Sequence, residues 1–303
     1  EARYRGQKVV VVSPDFAGHT KFADHWLPAA AGSDGALALA MTHVIFKEFH
    51  LDRDVPYFRD YAKKTTDLPC LVRLREREGA YVADRFLRAS DLGEVSENAD
   101  WKTVVLDTTS GAAAVPNGSI GFRWGDEGMG KWNLELDEID PALTLLGHHD
   151  ELVEIDLPRF DVEGAGGGVL RRGVPAKRIG DQLVTTVFDL YAAQLGLRRD
   201  GLPGEWPTGY DDPAPYTPAW QEAITGVDAG IVVRIAREFA RNAERTNGRS
   251  MIMLGAGTNH WFHNDQIYRA ILSMLILTGC QGVNGGGWAH YVGQEKVRPI
   301  SGW

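Results

Sequence analysis

Two stretches decide the fold: Lys8-Val9-Val10-Val11-Val12-Ser13-Pro14-Asp15, and Gly32-Ser33-Asp34 running on to Phe49. The first is a β-branched run too short for a helix, closed by a proline that cannot continue a ladder, and it reads as a buried parallel strand. The second keeps Leu37, Met41, Val44, Ile45 and Phe49 at helical spacing behind Ser33 or Asp34, either of which suits an N-cap. Strand, loop and capped helix in this order predict a doubly wound, Rossmann-like α/β unit with a parallel sheet, whose ligand sits beyond the carboxyl ends of the strands.

The same pattern returns near the other end of the chain. Thr225-Gly226-Val227-Asp228 leads into a helix with Ile231, Val232, Ile235, Ala236 and Phe239 on one face and Arg234, Arg237 and Arg241 on the other, the arginines reading as a solvated face more simply than as an anion site. The strand Ser250–Leu254 then runs into Gly255-Ala256-Gly257-Thr258-Asn259-His260, and Asp265–Leu277 makes a further amphipathic helix. Between these α/β segments glycine and proline become frequent and helical periodicity fades. Short strand-like pieces, Thr103–Leu106 and Leu183–Val187, lie between turns. The expected division is an α/β segment over 1–99, an irregular strand-containing insertion over 100–216 and a second α/β segment over 217–303. Gly164-Ala165-Gly166-Gly167-Gly168 reads as a flexible loop, since no Gly-Lys-Ser/Thr follows it to make a phosphate loop.

Composition excludes several classes. The 303 residues carry 32 Lys and Arg against 41 Asp and Glu, a net charge of −9, so no global basic field exists to hold a nucleic acid. Two cysteines, Cys70 and Cys280, stand far apart and outside any CxxC spacing, which leaves no disulfide scaffold and no self-contained iron–sulfur or zinc site. The apolar runs fall well short of the roughly 18 residues that span a bilayer. The chain begins without Met and stops without a cap at Trp303, as expected of a fragment of a longer protein.

Chemistry concentrates in a few loops. Asp15, just past the first strand, can accept from ribose hydroxyls or can simply form a turn after Pro14. Asp34 can cap its helix or present two oxygens to the N1–H and N2–H donors of guanine. Gly255 and Gly257 make half of a dinucleotide fingerprint and permit a phosphate to approach the backbone closely. Asn259, His260 and His263 follow. The two histidines could share a helix face around zinc, but no third ligand is near, and a donor to a bound oxyanion suits them better. The stretch Gly285 to Lys296 packs glycines, aromatics, an amide and a cation into a dozen residues, as a loop wrapped on a large polar ligand or as a tryptophan-anchored structural loop.

Taken together, these stretches resemble a known family. Ser13-Pro14-Asp15, Ala23 to Pro28 and Gly32 to Leu37 are similar to the cofactor-binding segment of the molybdopterin oxidoreductases, where a Thr-Asp or Ser-Asp pair contacts guanine. His43-Val44-Ile45, Tyr57 to Tyr61, Pro116 to Gly125, Lys131 to Leu134, Gly255 to Trp261 and Gly285 to Lys296 resemble the branch formed by catalytic alpha subunits of membrane-bound respiratory nitrate reductases. The resemblance covers essentially the whole chain.

The resemblance implies an internal piece of a larger subunit that holds molybdenum between two molybdopterin guanine dinucleotides. It assigns Asp15 to a guanosine ribose and Asp34, behind Ser33, to the guanine, and places Ser13, Gly32, Gly255, Gly257, His263, Gly293 and Gln294 at the cofactor. Asn259 and His260 go to the substrate pocket, with His263 competing for that place. The ligands of a 4Fe-4S cluster and the aspartate that ligates molybdenum would precede Glu1, and a closing domain would follow Trp303. The implied reaction is oxygen-atom transfer from nitrate to give nitrite. Its electrons would come through an iron–sulfur beta subunit and a cytochrome b gamma subunit at the cytoplasmic face of the membrane. A nitrite-oxidising relative running the reverse reaction, or an inactive cofactor-binding module, would share most of these motifs.

Overall fold

The computed structural model describes residues 3–117, 134–159, 161 and 168–290. Its strands are β1 Val10–Val12, β2 His25–Leu27, β3 Leu71–Arg77, β4 Ala80–Phe86, β5 Val105–Leu106, β6 Ala113–Ala114, β7 Glu151–Pro158, β8 Val169–Ile179, β9 Gln182–Thr186, β10 Met251–Leu254 and β11 Gly287–His290. Its α-helices are α1 Asp34–Phe46, α2 Pro56–Thr65, α3 Val187–Gln194, α4 Pro218–Thr225, α5 Ala229–Thr246, α6 Ala256–Asn259 and α7 Asn264–Leu277. The chain divides into two compact units, Glu1–Val55 with Thr208–Trp303, and Pro56–Pro207. These limits differ from the expected breaks at 99/100 and 216/217, because β3 and β4 pair into the same sheet as β7, β8 and β9.

The first unit is α/β. β1 pairs with β2 in parallel, Val10 opposite His25 and Val12 opposite Leu27, and β10 pairs with β11 in parallel, Met251 opposite Gly287 and Leu254 opposite His290. β1 is parallel as expected but only half-buried, with Val12 exposed among the described residues. The core is organised by α1, which is apolar on nearly every side: Leu37, Ala38, Ala40, Met41, Val44, Ile45 and Phe46 are all buried, as befits a helix surrounded by others rather than laid on a surface. It packs against α4, α5 and α7. α5 is amphipathic; it buries Val232, Val233, Ile235, Ala236, Ala240 and Ala243, is capped by the Asp228 carboxylate accepting from Ile231 N at 2.8 Å, and ends on Asn247 in the left-handed region. Past Phe46 the first helix continues as a π-helical turn, Lys47–Leu51.

Close backbone approach explains one of the late glycines. A Cβ on Gly286 would fall 2.0 Å from the Gly248 carbonyl oxygen, so only glycine lets this turn lie against the end of α5 and deliver Gly287 N to Ser250 O at 2.9 Å. That turn therefore has a structural duty, seating β11 beside β10.

The second unit is more regular than its composition suggests. β3, β4, β7, β8 and β9 close into a barrel, antiparallel everywhere except the β4–β7 junction, where Tyr81 faces Ile155. β7 alternates strictly, with Val153, Ile155 and Leu157 turned into a core shared with Leu74, Val174, Ala176, Leu183 and Ala193. A second cluster holds Leu71, Leu87, Val104, Leu106, Ala142, Leu145 and Val184. Arg172 of β8 is 2% exposed, and its guanidinium donates to Ala193 O at 2.7 Å, Gln194 O at 2.9 Å and Glu205 O at 3.1 Å, closing the carboxyl end of α3. Of the glycine-rich run only Gly168 lies within the described residues.

Candidate cofactor-binding site

The site is built at the start of α1. Ser33 precedes the helix, but its hydroxyl donates to Ala30 O at 2.6 Å and makes no cap bond, while Asp34 is the first helical residue rather than the cap. The Asp34 carboxylate is half-buried and, among the described residues, has no partner beyond its own backbone amide; burial pushes its pKa up. A carboxylate in the first turn is favoured by the helix dipole yet penalised by lost water, which leaves two acceptor oxygens seeking donors. Asp34 thus stands inside the first turn rather than at the cap, and its carboxylate bonds no other described residue.

Glycine is required two residues before it. Gly32 has φ +80°, and a Cβ there would lie 3.2 Å from Cδ2 of the Trp261 indole. A Cβ on Gly35 would meet Ile267 Cγ1 of α7 at 3.6 Å. The Gly32-Ser33-Asp34 loop and the segment between β10 and α7 are thus in direct contact, although more than 220 residues separate them in sequence.

That second segment leaves β10 at Gly255, passes through the single turn of α6, and reaches α7 by way of His260-Trp261-Phe262-His263. A Cβ on Gly255 or Gly257 would touch nothing within 4 Å, so the backbone here faces open space. Thr258 N and Thr258 Oγ1 both donate to Gly255 O, at 3.3 and 2.9 Å, and fix the turn. His260 and His263 are exposed, and Phe262, also exposed, sets its ring edge-on to His263 at 4.7 Å between centroids. Asn259 closes α6. No group of three or more His, Cys, Asp or Glu side chains placed to hold a metal occurs among the described residues. Gly293 and Gln294 lie outside the described residues, but the strand that leads toward them, β11, ends at His290 in register with Leu254, the residue before Gly255.

Ser13 and Asp15 stand at the carboxyl end of β1. Ser13 N donates to Leu27 O at 3.2 Å and Trp26 Nε1 to Ser13 O at 2.8 Å, and the Ser13 hydroxyl closes a turn by donating to Asp15 O and accepting from Asp15 N. Among the described residues the exposed Asp15 carboxylate has no partner, so the turn leaves its oxygens accessible. Both residues therefore share the strand edge from which β2 departs toward Gly32, while no hydrogen bond among the described residues joins Asp15 to Asp34 or to the 255–263 segment.

One polar cluster in this unit escaped the sequence reading. Arg237, expected on a solvated face, grips Glu48 with Nε at 2.9 Å and Nη2 at 2.6 Å, while Tyr210 donates to the same carboxylate at 2.8 Å. Burial raises the Glu48 carboxyl, and the paired arginine with the tyrosine more than offsets it, holding the group below its usual range. Arg234 and Arg241 are exposed as expected. Both cysteines are buried, and burial pushes the Cys70 thiol up to about 12, so it stays protonated and inert.

An α/β unit with parallel strand pairs, a half-buried carboxylate at a helix start and an open glycine loop beside it is the kind of place where α/β proteins bind ligands. The sequence matches the molybdopterin oxidoreductase family over residues 1–299, and the chain belongs to that family of oxidoreductases, whose cofactor is a molybdenum–molybdopterin. It is similar over its whole length to the nitrate reductase alpha subunit of Mycobacterium tuberculosis, at 55% identity. The nitrate reductase alpha chain of Bacillus subtilis and the respiratory nitrate reductase 1 alpha chain of Escherichia coli, each 49% identical, also match across the full chain. The chain spans about a quarter of the length of these relatives: 25% of the first two and 26% of the third.

Proposed function

We propose that this chain is part of the catalytic subunit of a respiratory nitrate reductase and supplies one wall of the crevice that holds a molybdenum bis-(molybdopterin guanine dinucleotide). The observation that carries the reading is the half-buried carboxylate of Asp34, which among the described residues has no partner beyond its own amide, in a loop set against the Gly255–His263 segment through Gly32 and Trp261. Guanine offers adjacent N1–H and N2–H donors, which would satisfy both oxygens and favour the charged form that burial disfavours. The open backbone at Gly255 and Gly257 accommodates a phosphate, and Asp15 and Ser13 accept and donate to ribose hydroxyls at the neighbouring strand edge.

When bound, the molybdenum group supplies oxygen-atom acceptance and two electrons, so that nitrate and two protons yield nitrite and water. This chain's own residues bind and orient. The exposed His260 imidazole, with Asn259 beside it in sequence, donates to a nitrate oxygen, and His263 holds the cofactor side of the same segment. A 4Fe-4S cluster belongs in this reading to the preceding part of the protein, and iron–sulfur beta and cytochrome b gamma subunits deliver electrons at the cytoplasmic face of the membrane. Among the described residues no helix is long and apolar enough to cross a membrane, so attachment would run through those partners.

In the full-length protein, Asp34→Ala should lower molybdenum content per subunit, whereas His260→Ala should retain molybdenum and lose nitrate turnover. Unchanged molybdenum in the first variant, or parallel loss of metal and turnover in the second, would contradict these assignments.

A further inference from the structure

The parallel pair of β10 and β11 has one finished face and one bare one. Partners in a parallel register point the same way, so Ile252, Leu254, Trp288 and His290 share one face, and Met251, Met253 and Ala289 share the other. The first is covered by α7, the crossover between the two strands, whose Tyr268 ring stands edge-on to Trp288 at 5.3 Å and to His290 at 5.5 Å between centroids. On the second, Met251 is 46% and Met253 77% exposed.

Nothing guards this face or the free edge of β10. Ser250 to Gly257 contains no charged residue and no proline, the devices that keep an exposed strand from pairing. Among the described residues β10 pairs only with β11, although parallel sheets occur almost only where both faces are covered. The size of the bare patch decides what covers it. Two strands of 4 residues make a face of about 13 by 10 Å, on the order of 130 Å². A stable association between separate chains takes about 800 Å² from each partner. A patch this small is filled by a segment already tethered to it, which gives up far less freedom on docking than a free chain does.

We infer that the Met251–Met253 face is the seat of an apolar helix belonging to the same polypeptide and lying outside residues 1–303. The inference rests on the reading of the chain as part of a longer catalytic subunit, since the chain spans 25% of the length of its relatives from Mycobacterium tuberculosis and Bacillus subtilis. Methionine suits such a seat, because its unbranched side chain fills irregular apolar gaps.

The test uses the full-length wild-type protein, with dilute hydrogen peroxide as the probe. Met41 and Met274, 6% and 5% exposed, serve as internal standards for burial. By mass spectrometry of the natively oxidised protein, Met251 and Met253 should form sulfoxide within about threefold of the rate of those two, and oxidation of Met253 more than about tenfold faster overturns the inference. Photo-methionine, a diazirine analogue of nearly the same size incorporated in place of methionine, then identifies the occupant. Adducts that leave the polypeptide monomeric on a denaturing gel and join position 253 to a peptide outside residues 1–303 support the helix seat. Adducts to a second copy, to another subunit or within residues 1–303, or no adduct at all, overturn it. Neither readout needs turnover. Fast oxidation in a protein that holds molybdenum and reduces nitrate strikes this inference alone, and protected methionines in a protein without molybdenum strike the cofactor reading alone.

Discussion

Lowering the pH should loosen the α1–α7 contact through one histidine. His50, in the π-helical turn after α1, is partly buried and its Nε2 lies 2.8 Å from Leu277 O at the carboxyl end of α7. A carbonyl can only accept, so Nε2 donates and the imidazole is neutral with its proton there. Burial lowers the His50 pKa from an ordinary 6.5 to about 4, against the opposing pull of the Leu277 carbonyl and of Asp54. The folded state therefore binds its proton later than the unfolded one. The stability this represents is complete above pH 6.5, is lost as pH falls from there to about 4, and changes no further below that. At roughly 1.4 kcal/mol for each pH unit between the two values, the loss is about 3 kcal/mol. His50→Gln keeps a donor for Leu277 O but cannot charge. Hydrogen exchange of the 264–280 peptides in the full-length protein, comparing wild type with His50→Gln at the same pH, removes the intrinsic pH dependence of exchange. Between pH 7.5 and pH 4 the wild type should gain about a hundredfold in relative exchange rate over the variant. An unchanged ratio across that range would refute the assignment of a neutral, hydrogen-bonded histidine.

Two further substitutions follow from packing. Arg172→Met keeps the aliphatic volume but leaves the carbonyls of Ala193, Gln194 and Glu205 without their donor; it should cost about 3–5 kcal/mol and strip exchange protection from α3, whereas unaltered protection would show the arginine to be dispensable. Gly32→Ala meets both a left-handed backbone and the Trp261 ring, and should cost about 1–3 kcal/mol while displacing the indole; an unmoved Trp261 and an unchanged midpoint would contradict the contact.

The α/β half of the fold was legible because its signals are local. The valine run ending at Pro14, the Ala/Leu helix after Asp34 and the Asp228-capped α5 each announce themselves within a dozen residues, and each occurs within two or three residues of the expected place. The barrel was passed over as irregular because its evidence is distributed. The period-2 alternation of Val153, Ile155 and Leu157 was there to be read, as was the Glu78-Gly79 turn between β3 and β4, whose φ values are 54° and 82°. Closure, however, depends on pairing β3 with β9 across more than a hundred residues, which no local pattern encodes. At the site, the juxtaposition of Gly32 with Trp261 has the same origin. Spacing alone leaves Asp34 open between cap and ligand; the fold puts the Ser33 hydroxyl on Ala30 O and Asp34 inside the first turn. Arg237 looked solvated because Glu48 and Tyr210, its partners, come from elements far from α5 in sequence.

The most direct measurement is the position of Asp34 in a structure of the full-length, cofactor-loaded protein. Both Asp34 oxygens should lie about 2.8 Å from N1 and N2 of one guanine, with Trp261 still against Gly32. A guanine held by other residues, with the Asp34 carboxylate in solvent or bonded to protein, would contradict the assignment of this loop to the cofactor.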